Sequence, residues 1–392
     1  MKKNFVKMFM ASALLAGVLA GCGTKESSGS GKGGDTIKVG VNLELSGGVA
    51  SYGESISAGV KLAADEINKK GGVDGKKIEL VEVDNKSDAA EATNGAIKLT
   101  SQDKVTAIIG AATSGDTVAQ AEIANGNKTV LLSPSGTSPN VTVTDKGKLN
   151  EYVFRTSFID PFQGTVAANF AAKELKVKNV AIFADSASDY AKGLAKSFKE
   201  TFEAAGGKVV AEEAYVAKDT DFHATLTRIK AKNPEFIFIP GYYEEVGLIV
   251  KQARELGITA PLMGADGWDS PTLVKLAGAD ALNNTYITNH YSSEDPDKKI
   301  QAFVSTFKEK NDGNSPNAFN ALGYDSVYLL ADAIERAGST DSTKIKEALE
   351  KTKDLSLVTG VVTIDKDHNP IKSATVLEYK DGKQVFNTKV NP

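Results

Sequence analysis

Short apolar runs alternate with polar turns and with segments of helical period along most of the chain. IKVGVNL at residues 37–43 and KIELVEVD at residues 77–84 each precede a segment whose apolar residues recur every three or four positions. The pattern starts again with NVAIFAD at residues 179–185 and continues through EFIFIP and PLMGAD. Two successive series of strand–helix repeats predict an α/β fold of two Rossmann-like lobes with mainly parallel sheets.

The last third of the chain predicts three helices and two strands, VVTID and ATVLEY. These are too few strands for a third sheet, so we expect the segment to be shared between the lobes, with several chain crossings forming a hinge. The expected lobe 1 comprises residues 36–156 and about 287–358, and the expected lobe 2 comprises residues 157–286 and about 359–392. At the start of lobe 2, Asp160 and Pro161 are typical of an N-cap followed by the first helical residue.

The N-terminus is typical of a secretory signal. Residues 1–21 have a basic start, an apolar middle that is short for a membrane span, and small residues before Cys22. Leu19-Ala20-Gly21-Cys22 matches the lipobox of bacterial lipoproteins, which predicts lipidation of Cys22 and an extracytoplasmic protein anchored at the cell membrane. The alternatives are a cleaved signal with an incidental cysteine, or a retained anchor. Residues 22–35 after cleavage are expected to be a flexible tether because they are rich in Gly, Ser and Lys.

Charge and composition argue against several classes of function. Without residues 1–21 the chain has 43 Lys and Arg against 50 Asp and Glu, which disfavours a nucleic-acid partner. Cys22 is the one cysteine, the three histidines form no helical pair, and dinucleotide and Gly-x-Ser-x-Gly fingerprints are missing at the ends of strands. We therefore expect no metal, no cofactor and no catalytic activity.

Residues 106–140 predict a strand–helix–strand unit whose strands end in turns rich in hydroxyl groups. Ser114 follows the first strand, and Ser135, Gly136 and Thr137 follow the second. Ligands of open α/β sheets lie outside the carboxyl ends of the strands, and N–H groups at a helix start suit a carboxylate or another small anion. Such residues are also ordinary caps and turns.

Other strands also end beside an aromatic or acidic side chain. These residues are Tyr52, Tyr190, Tyr242, Asp266 and Trp268. Each one alone has an ordinary explanation as a turn or packing residue. Their shared position at strand ends predicts that they line a cleft between the two lobes.

From residue 37 to its end the chain resembles the periplasmic-type binding proteins for branched-chain amino acids, which serve ABC importers. The resemblance lies in LSGGVASYGES, AIIGAATSGDT, LLSPSGTSP, FRTSFIDPFQG, ASDYAKGLA and LMGADGW. It implies the type I periplasmic binding protein fold. It also implies that Ser114, Ser135, Gly136 and Thr137 hold the ligand's carboxylate and amine.

The same resemblance implies that Tyr190, Tyr242 and an acidic residue close over the ligand, while Tyr52 and Phe319 flank its side chain. The acidic position matches Asp266, where glutamate is more familiar, so the amine contact is expected to be rearranged or mediated by water. Trp268 is expected to narrow the pocket.

The implied function is a monomeric solute-binding lipoprotein that takes leucine, isoleucine or valine between closing lobes and delivers it to a membrane-embedded ABC permease. One alternative is a receptor for another small ligand, such as a short amide, a urea-like compound or an aromatic acid. Another is the sensory module of a signalling system. An enzyme is the least favoured class.

Overall fold

The computed structural model describes residues 36–391. The predicted signal peptide (1–21), the lipidation site Cys22 and the tether (22–35) lie outside the described residues. Within residues 36–391, every helix is too short or too polar to cross a lipid bilayer.

A parallel five-stranded sheet forms the centre of lobe 1, in the order β2-β1-β3-β4-β5. Apolar side chains bury β3 and β4 completely, as expected for inner strands of a parallel sheet. The strands are β1 (Ile37–Leu43), β2 (Ile78–Asp84), β3 (Ala107–Gly110), β4 (Val130–Ser133) and β5 (Val153–Arg155).

A seven-stranded sheet forms the centre of lobe 2, in the order β15-β14-β10-β9-β8-β6-β7. Its first five strands in the chain pair in parallel, and the last two add to one side as antiparallel strands. These strands are β6 (Asn179–Asp185), β7 (Lys208–Tyr215), β8 (Phe236–Phe238), β9 (Leu262–Gly264), β10 (Thr285–Asn289), β14 (Ala374–Lys380) and β15 (Lys383–Val390). A small third sheet contains β11 (Leu355–Leu357), β12 (Gly360–Ile364) and β13 (Pro370–Ile371).

Helices cover the faces of the two large sheets. The helices are α1 (Ala50–Lys69), α2 (Ala89–Ile97), α3 (Ser114–Gly126), α4 (Asp160–Asn169), α5 (Asp189–Ala204), α6 (His223–Lys230), α7 (Tyr243–Glu255), α8 (Pro271–Ala277), α9 (Lys298–Lys310), α10 (Ala318–Ala337) and α11 (Ser342–Leu349). The long helix α10 packs along α1 of lobe 1, and a capping box at Asn317 fixes its start. After β10 the chain therefore returns to lobe 1, and it then adds β14 and β15 to the sheet of lobe 2.

The chain crosses between the lobes three times, at residues 156–159, 290–297 and 372–373. The predicted fold of two Rossmann-like lobes joined by a multi-crossover hinge is confirmed. The proposed limits of each lobe stay a prediction.

Two details of the expected secondary structure were wrong or missing. Ile159 is the N-cap of α4, and Asp160 and Pro161 occupy its first two helical positions. Five strands were not predicted: β5, β10, β11, β13 and β15. Three of them have only two or three residues, and the edge strand β15 (KQVFNTKV) is too polar to show a clear apolar pattern.

Candidate ligand-binding site

A small cavity lies where the carboxyl ends of the two sheets face each other. Its volume is about 10 Å³, close to the space that one water molecule needs, so the two lobes are closed on each other here. Eight of the ten predicted site residues line it: Tyr52, Ser114, Ser135, Thr137, Tyr190, Tyr242, Asp266 and Phe319. Ala112, Thr113 and Gly267 complete the lining.

Hydroxyl groups of two turns form the lobe 1 side of the cavity. Ser114 is the first residue of α3, and its Oγ accepts a hydrogen bond from the Ser138 N–H at 3.1 Å. The Ser135 hydroxyl donates to the carbonyl of Ala112 at 2.7 Å, which ties the two turns together. Thr137 is 1% exposed, and its hydroxyl lines the cavity beside the Asp160 carboxyl, whose ionised form it favours. A hydroxyl both donates and accepts hydrogen bonds, so Thr137 can also bind a ligand in the cavity.

Gly136 shapes this wall without lining the cavity. Its N–H donates to Ser133 Oγ at 3.0 Å, and its carbonyl accepts from the buried guanidinium of Arg155 at 2.6 Å. A Cβ atom at this position would lie 2.7 Å from Ser133 Oγ and 3.0 Å from Thr117 Oγ1. Glycine is therefore required for the turn to pack closely beneath the site.

On the lobe 2 side, Asp266 is the one charged residue in the cavity lining. Its Oδ1 accepts hydrogen bonds from the Tyr190 hydroxyl (2.8 Å) and Gln163 Nε2 (3.0 Å). Its Oδ2 lies 3.1 Å from His290 Nε2. A carboxylate has about four acceptor positions, so three donors within the protein leave one for a ligand.

Burial keeps His290 neutral beneath this carboxylate. Desolvation lowers the pKa of His290 to about 4, although Asp266 favours the charged form. Because a carboxylate only accepts hydrogen bonds, the neutral ring carries its hydrogen on Nε2. Burial and the negative charge of Asp266 raise the pKa of the nearby Asp160 to about 8. Of these two acidic residues, Asp266 lines the cavity and Asp160 does not.

Aromatic rings form the remaining walls. Tyr52, on α1, stacks on Phe319, on α10, with ring centroids 4.4 Å apart. Tyr190 and Tyr242 stack across lobe 2 with centroids 5.1 Å apart. Burial raises the pKa of Tyr52, Tyr190 and Tyr242, so their hydroxyls remain protonated donors. The cavity therefore combines neutral donors, one carboxylate and an apolar wall.

Trp268 does not line the cavity. Its indole Nε1 donates to the Ile239 carbonyl at 2.9 Å, and the ring lies against the backbone of Gly264 in the interior of lobe 2. The residue is completely buried.

Direct hydrogen bonds join the lobes beside the cavity. The Tyr52 hydroxyl donates to the carbonyl of Gly267 and accepts from the Tyr243 N–H at 3.2 Å. The hydroxyls of Ser51 and Ser270 lie 2.7 Å apart. These bonds need both lobes in place, so they favour the arrangement that encloses the cavity.

Sequence reasoning missed the residues that hold Asp266 in position. Gln163 and His290 lie 103 and 24 residues away in the chain. Gln163 stands in the segment FRTSFIDPFQG, but nothing in that segment marks it as a partner of Asp266. The available signals were the place of Gln163 in that segment and the position of His290 directly after the strand β10.

The fold and the cavity define a two-lobed α/β protein that encloses a small molecule. The family model described as "Periplasmic binding protein" matches residues 36–384. The chain is 33% identical over 356 residues to the leucine-, isoleucine-, valine-, threonine- and alanine-binding protein of Pseudomonas aeruginosa, which covers 91% of this chain and 92% of the relative.

Two solved structures are similar along nearly their whole length. The branched-chain amino acid transporter substrate-binding protein LivJ of Streptococcus pneumoniae, in complex with isoleucine, has 43% identity and a TM-score of 0.86, covering 91% of this chain and all of that chain. The leucine-binding protein LivK of Thermotoga maritima has 38% identity and a TM-score of 0.85, covering 91% of this chain and 99% of that chain. The chain belongs to the periplasmic binding protein family, whose members act outside the cytoplasm.

Proposed function

We propose that this protein binds leucine, isoleucine or valine between its lobes and delivers it to the membrane permease of an ABC importer. The amino-acid carboxylate is assigned to the hydroxyls of Ser114, Ser135 and Thr137 and to the start of α3. The ammonium is assigned to the remaining acceptor position of Asp266. Tyr52 and Phe319 contact the aliphatic side chain.

The observation that carries this proposal is that hydroxyl groups line one wall of the cavity and a single carboxylate lines the other. Thr137 is buried at the lobe 1 wall, and Asp266 lies at the lobe 2 wall. A zwitterionic ligand satisfies both walls, because its carboxylate accepts a hydrogen bond from a hydroxyl of lobe 1 and its ammonium donates one to Asp266. The stacked rings of Tyr52 and Phe319 offer an apolar surface to the part of the ligand between them.

The proposal includes the N-terminal segment. A lipid on Cys22 and a tether over residues 22–35 would keep the monomeric binding protein at the membrane that holds the permease. We assign no catalytic step to the site, and steady turnover of an amide or ester by the purified protein would contradict that assignment.

Calorimetric titration with leucine, isoleucine and valine tests the ligand assignment. The Thr137→Val variant removes the hydroxyl at nearly constant volume and should weaken binding about tenfold. Thr259→Val, at an exposed threonine of lobe 2, serves as control. Equal affinities for the wild type and Thr137→Val would show that the carboxylate is bound elsewhere.

A further inference from the structure

A network of buried polar groups connects the two walls of the cavity, and the side-chain amide of Gln163 on α4 lies at its centre. The amide oxygen accepts from the Thr288 hydroxyl at 3.0 Å and from the Asp266 N–H at 3.4 Å, which fixes the orientation of the amide. Nε2 therefore points the other way and donates to Oδ1 of Asp266 at 3.0 Å and to Oδ1 of Asp160 at 3.1 Å. One amide thus holds two acidic side chains close together.

These two acidic side chains differ in their number of donors. Asp266 accepts from Tyr190, Gln163 and His290. Asp160 is completely buried, and its Oδ2 accepts no hydrogen bond of good geometry from the described part of the chain. Neighbouring carboxylates disfavour each other's ionised form. Of the pair, Asp160 is therefore the one that carries a proton, and it carries it on Oδ2 because Oδ1 accepts from Gln163.

The charged and titratable groups around Asp160 favour its neutral form on balance. Burial and the negative charge of Asp266 raise the pKa of Asp160 to about 8, although the positive charge of Arg155 acts in the opposite direction. The Arg155 guanidinium donates to backbone carbonyls of the turn after β4 and forms no ion pair with Asp160. Burial first, and the neighbouring acidic residues second, raise the pKa of Tyr190 and Tyr242, so both phenols stay neutral.

Asp160 lies directly against Thr137, across the boundary between the lobes. The Asp160 N–H donates to the carbonyl of Thr137 at 3.0 Å. The Asp160 carboxyl lies beside the Thr137 hydroxyl, which lines the cavity. A hydroxyl has a single hydrogen and can accept as well as donate. The protonation state of Asp160 thus determines where the hydrogen of the Thr137 hydroxyl points.

We propose that Asp160 is a positioning residue for the carboxylate of the bound amino acid and acts through Thr137, an inference that rests on the function proposed above. Protonated Asp160 donates from Oδ2 to Thr137 Oγ1, which leaves the hydrogen of Thr137 for the carboxylate of the ligand. Ionised Asp160 accepts that hydrogen itself, so Thr137 presents only lone pairs to a negatively charged group. Ligand affinity therefore falls as Asp160 loses its proton.

Calorimetric titration of the wild type with leucine between pH 6 and pH 9 tests the proposal. Ionisation of Asp160 should raise the dissociation constant about tenfold from pH 7 to pH 9. Asp160→Asn keeps a donor beside Thr137 at every pH and should not show this rise. Loss of the proton from the ammonium of leucine affects both proteins equally, so the ratio of their dissociation constants reports on Asp160. Asp280→Asn, at an exposed carboxylate of lobe 2, should keep the wild-type pH dependence.

Titration in two buffers of different ionisation enthalpy gives a second readout that needs no variant. At pH 8 the wild type should take up about half a proton for each leucine bound, and Asp160→Asn should take up almost none. Thr137→Val tests the connection to the ligand. In that background Asp160→Asn should change the affinity at pH 9 less than it does in the wild type, because the connecting hydroxyl is missing.

The proposal is overturned if the wild type and Asp160→Asn have the same pH dependence and the same proton uptake. It is also overturned if Asp160→Asn changes the affinity at pH 9 equally in the wild type and in Thr137→Val, since Asp160 would then act without the hydroxyl. Failure of the proposed function is distinguishable from these results. It would appear as the absence of leucine, isoleucine and valine binding to the wild type at pH 7, which would also remove the ligand that this inference needs.

Discussion

The Asp266 carboxylate and the His290 ring are joined by a buried contact of 3.1 Å between Oδ2 and Nε2. His290 is fixed in turn by its stack on Phe158, with ring centroids 3.8 Å apart. Asp266 therefore has a defined orientation before any ligand arrives. Such preorganisation lowers the entropic cost of binding.

Replacing Asp266 by Ala should weaken amino-acid binding by about 2 kcal/mol or more, because a charge-assisted hydrogen bond is lost in a dry cavity. Calorimetry measures the change. Asp280→Ala, at an exposed carboxylate of lobe 2, is the matched control and should bind as the wild type does. Unchanged affinity in Asp266→Ala would mean that another group holds the ammonium.

Asp160 predicts a pH-dependent effect on stability. Its pKa is raised to about 8 in the folded protein, above the value of about 3.9 in an unfolded chain. The protonated carboxyl thus supports folding fully below pH 4, and this contribution is lost as the pH rises towards 8. Asp160→Asn does not titrate, so its stability relative to the wild type should rise with pH, by at most about 1.4 kcal/mol per unit.

Urea unfolding of both proteins at pH 5 and pH 8 measures this difference. The stability of Asp160→Asn relative to the wild type should be greater at pH 8. A difference that is the same at both pH values would show that Asp160 is ionised in the folded protein throughout this range.

The hydroxyl pair of Ser51 and Ser270 should stabilise the enclosed form without touching the ligand. Ser51→Ala and Ser270→Ala are each expected to weaken binding by about 0.5–1.5 kcal/mol, with no change in the ranking of ligands. The double variant should lose less than the sum, because both changes break the same bond between Ser51 and Ser270. Ser270→Ala also removes the hydroxyl that accepts from the Thr272 N–H at the start of α8. Ser305→Ala, on the exposed face of α9, is the control. Fully additive losses would contradict a direct bond between the lobes.

The interior position of Trp268 predicts an effect on stability rather than on selectivity. Trp268→Phe leaves the Ile239 carbonyl without its donor and removes buried volume, so unfolding should become easier by about 1–3 kcal/mol. Urea unfolding measures this loss, and titration should give the wild-type ranking of leucine, isoleucine and valine. A changed ranking would show that the indole reaches the ligand.

Local sequence patterns predict the lobe 1 half of the site well. Strands that end in serine, glycine and threonine place their side chains at one edge of a parallel sheet, which is where Ser114, Ser135 and Thr137 lie. Strand periodicity also predicts most of both large sheets. Short strands such as β11 and β13 escape prediction because two or three residues show no period.

The lobe 2 half depends on contacts between distant segments. The contacts of Trp268 with Ile239 and Gly264 direct its ring to the interior of lobe 2 and not to the cavity. The sequence around Trp268 does not reveal these contacts. The network around Asp266 likewise needs α4 and β10 to meet. Tertiary packing rather than turn chemistry determines these positions.

A melting screen of the purified protein against the amino acids tests the central claim most directly, with a short amide, urea and benzoate as further probes. Ligands that bind only the folded state raise the melting temperature as their concentration exceeds the dissociation constant. The account predicts a clear increase with leucine, isoleucine or valine, and none with amino acids whose side chains are charged. If leucine, isoleucine and valine all leave the melting temperature unchanged, the assignment of a branched-chain amino acid to this cavity is wrong.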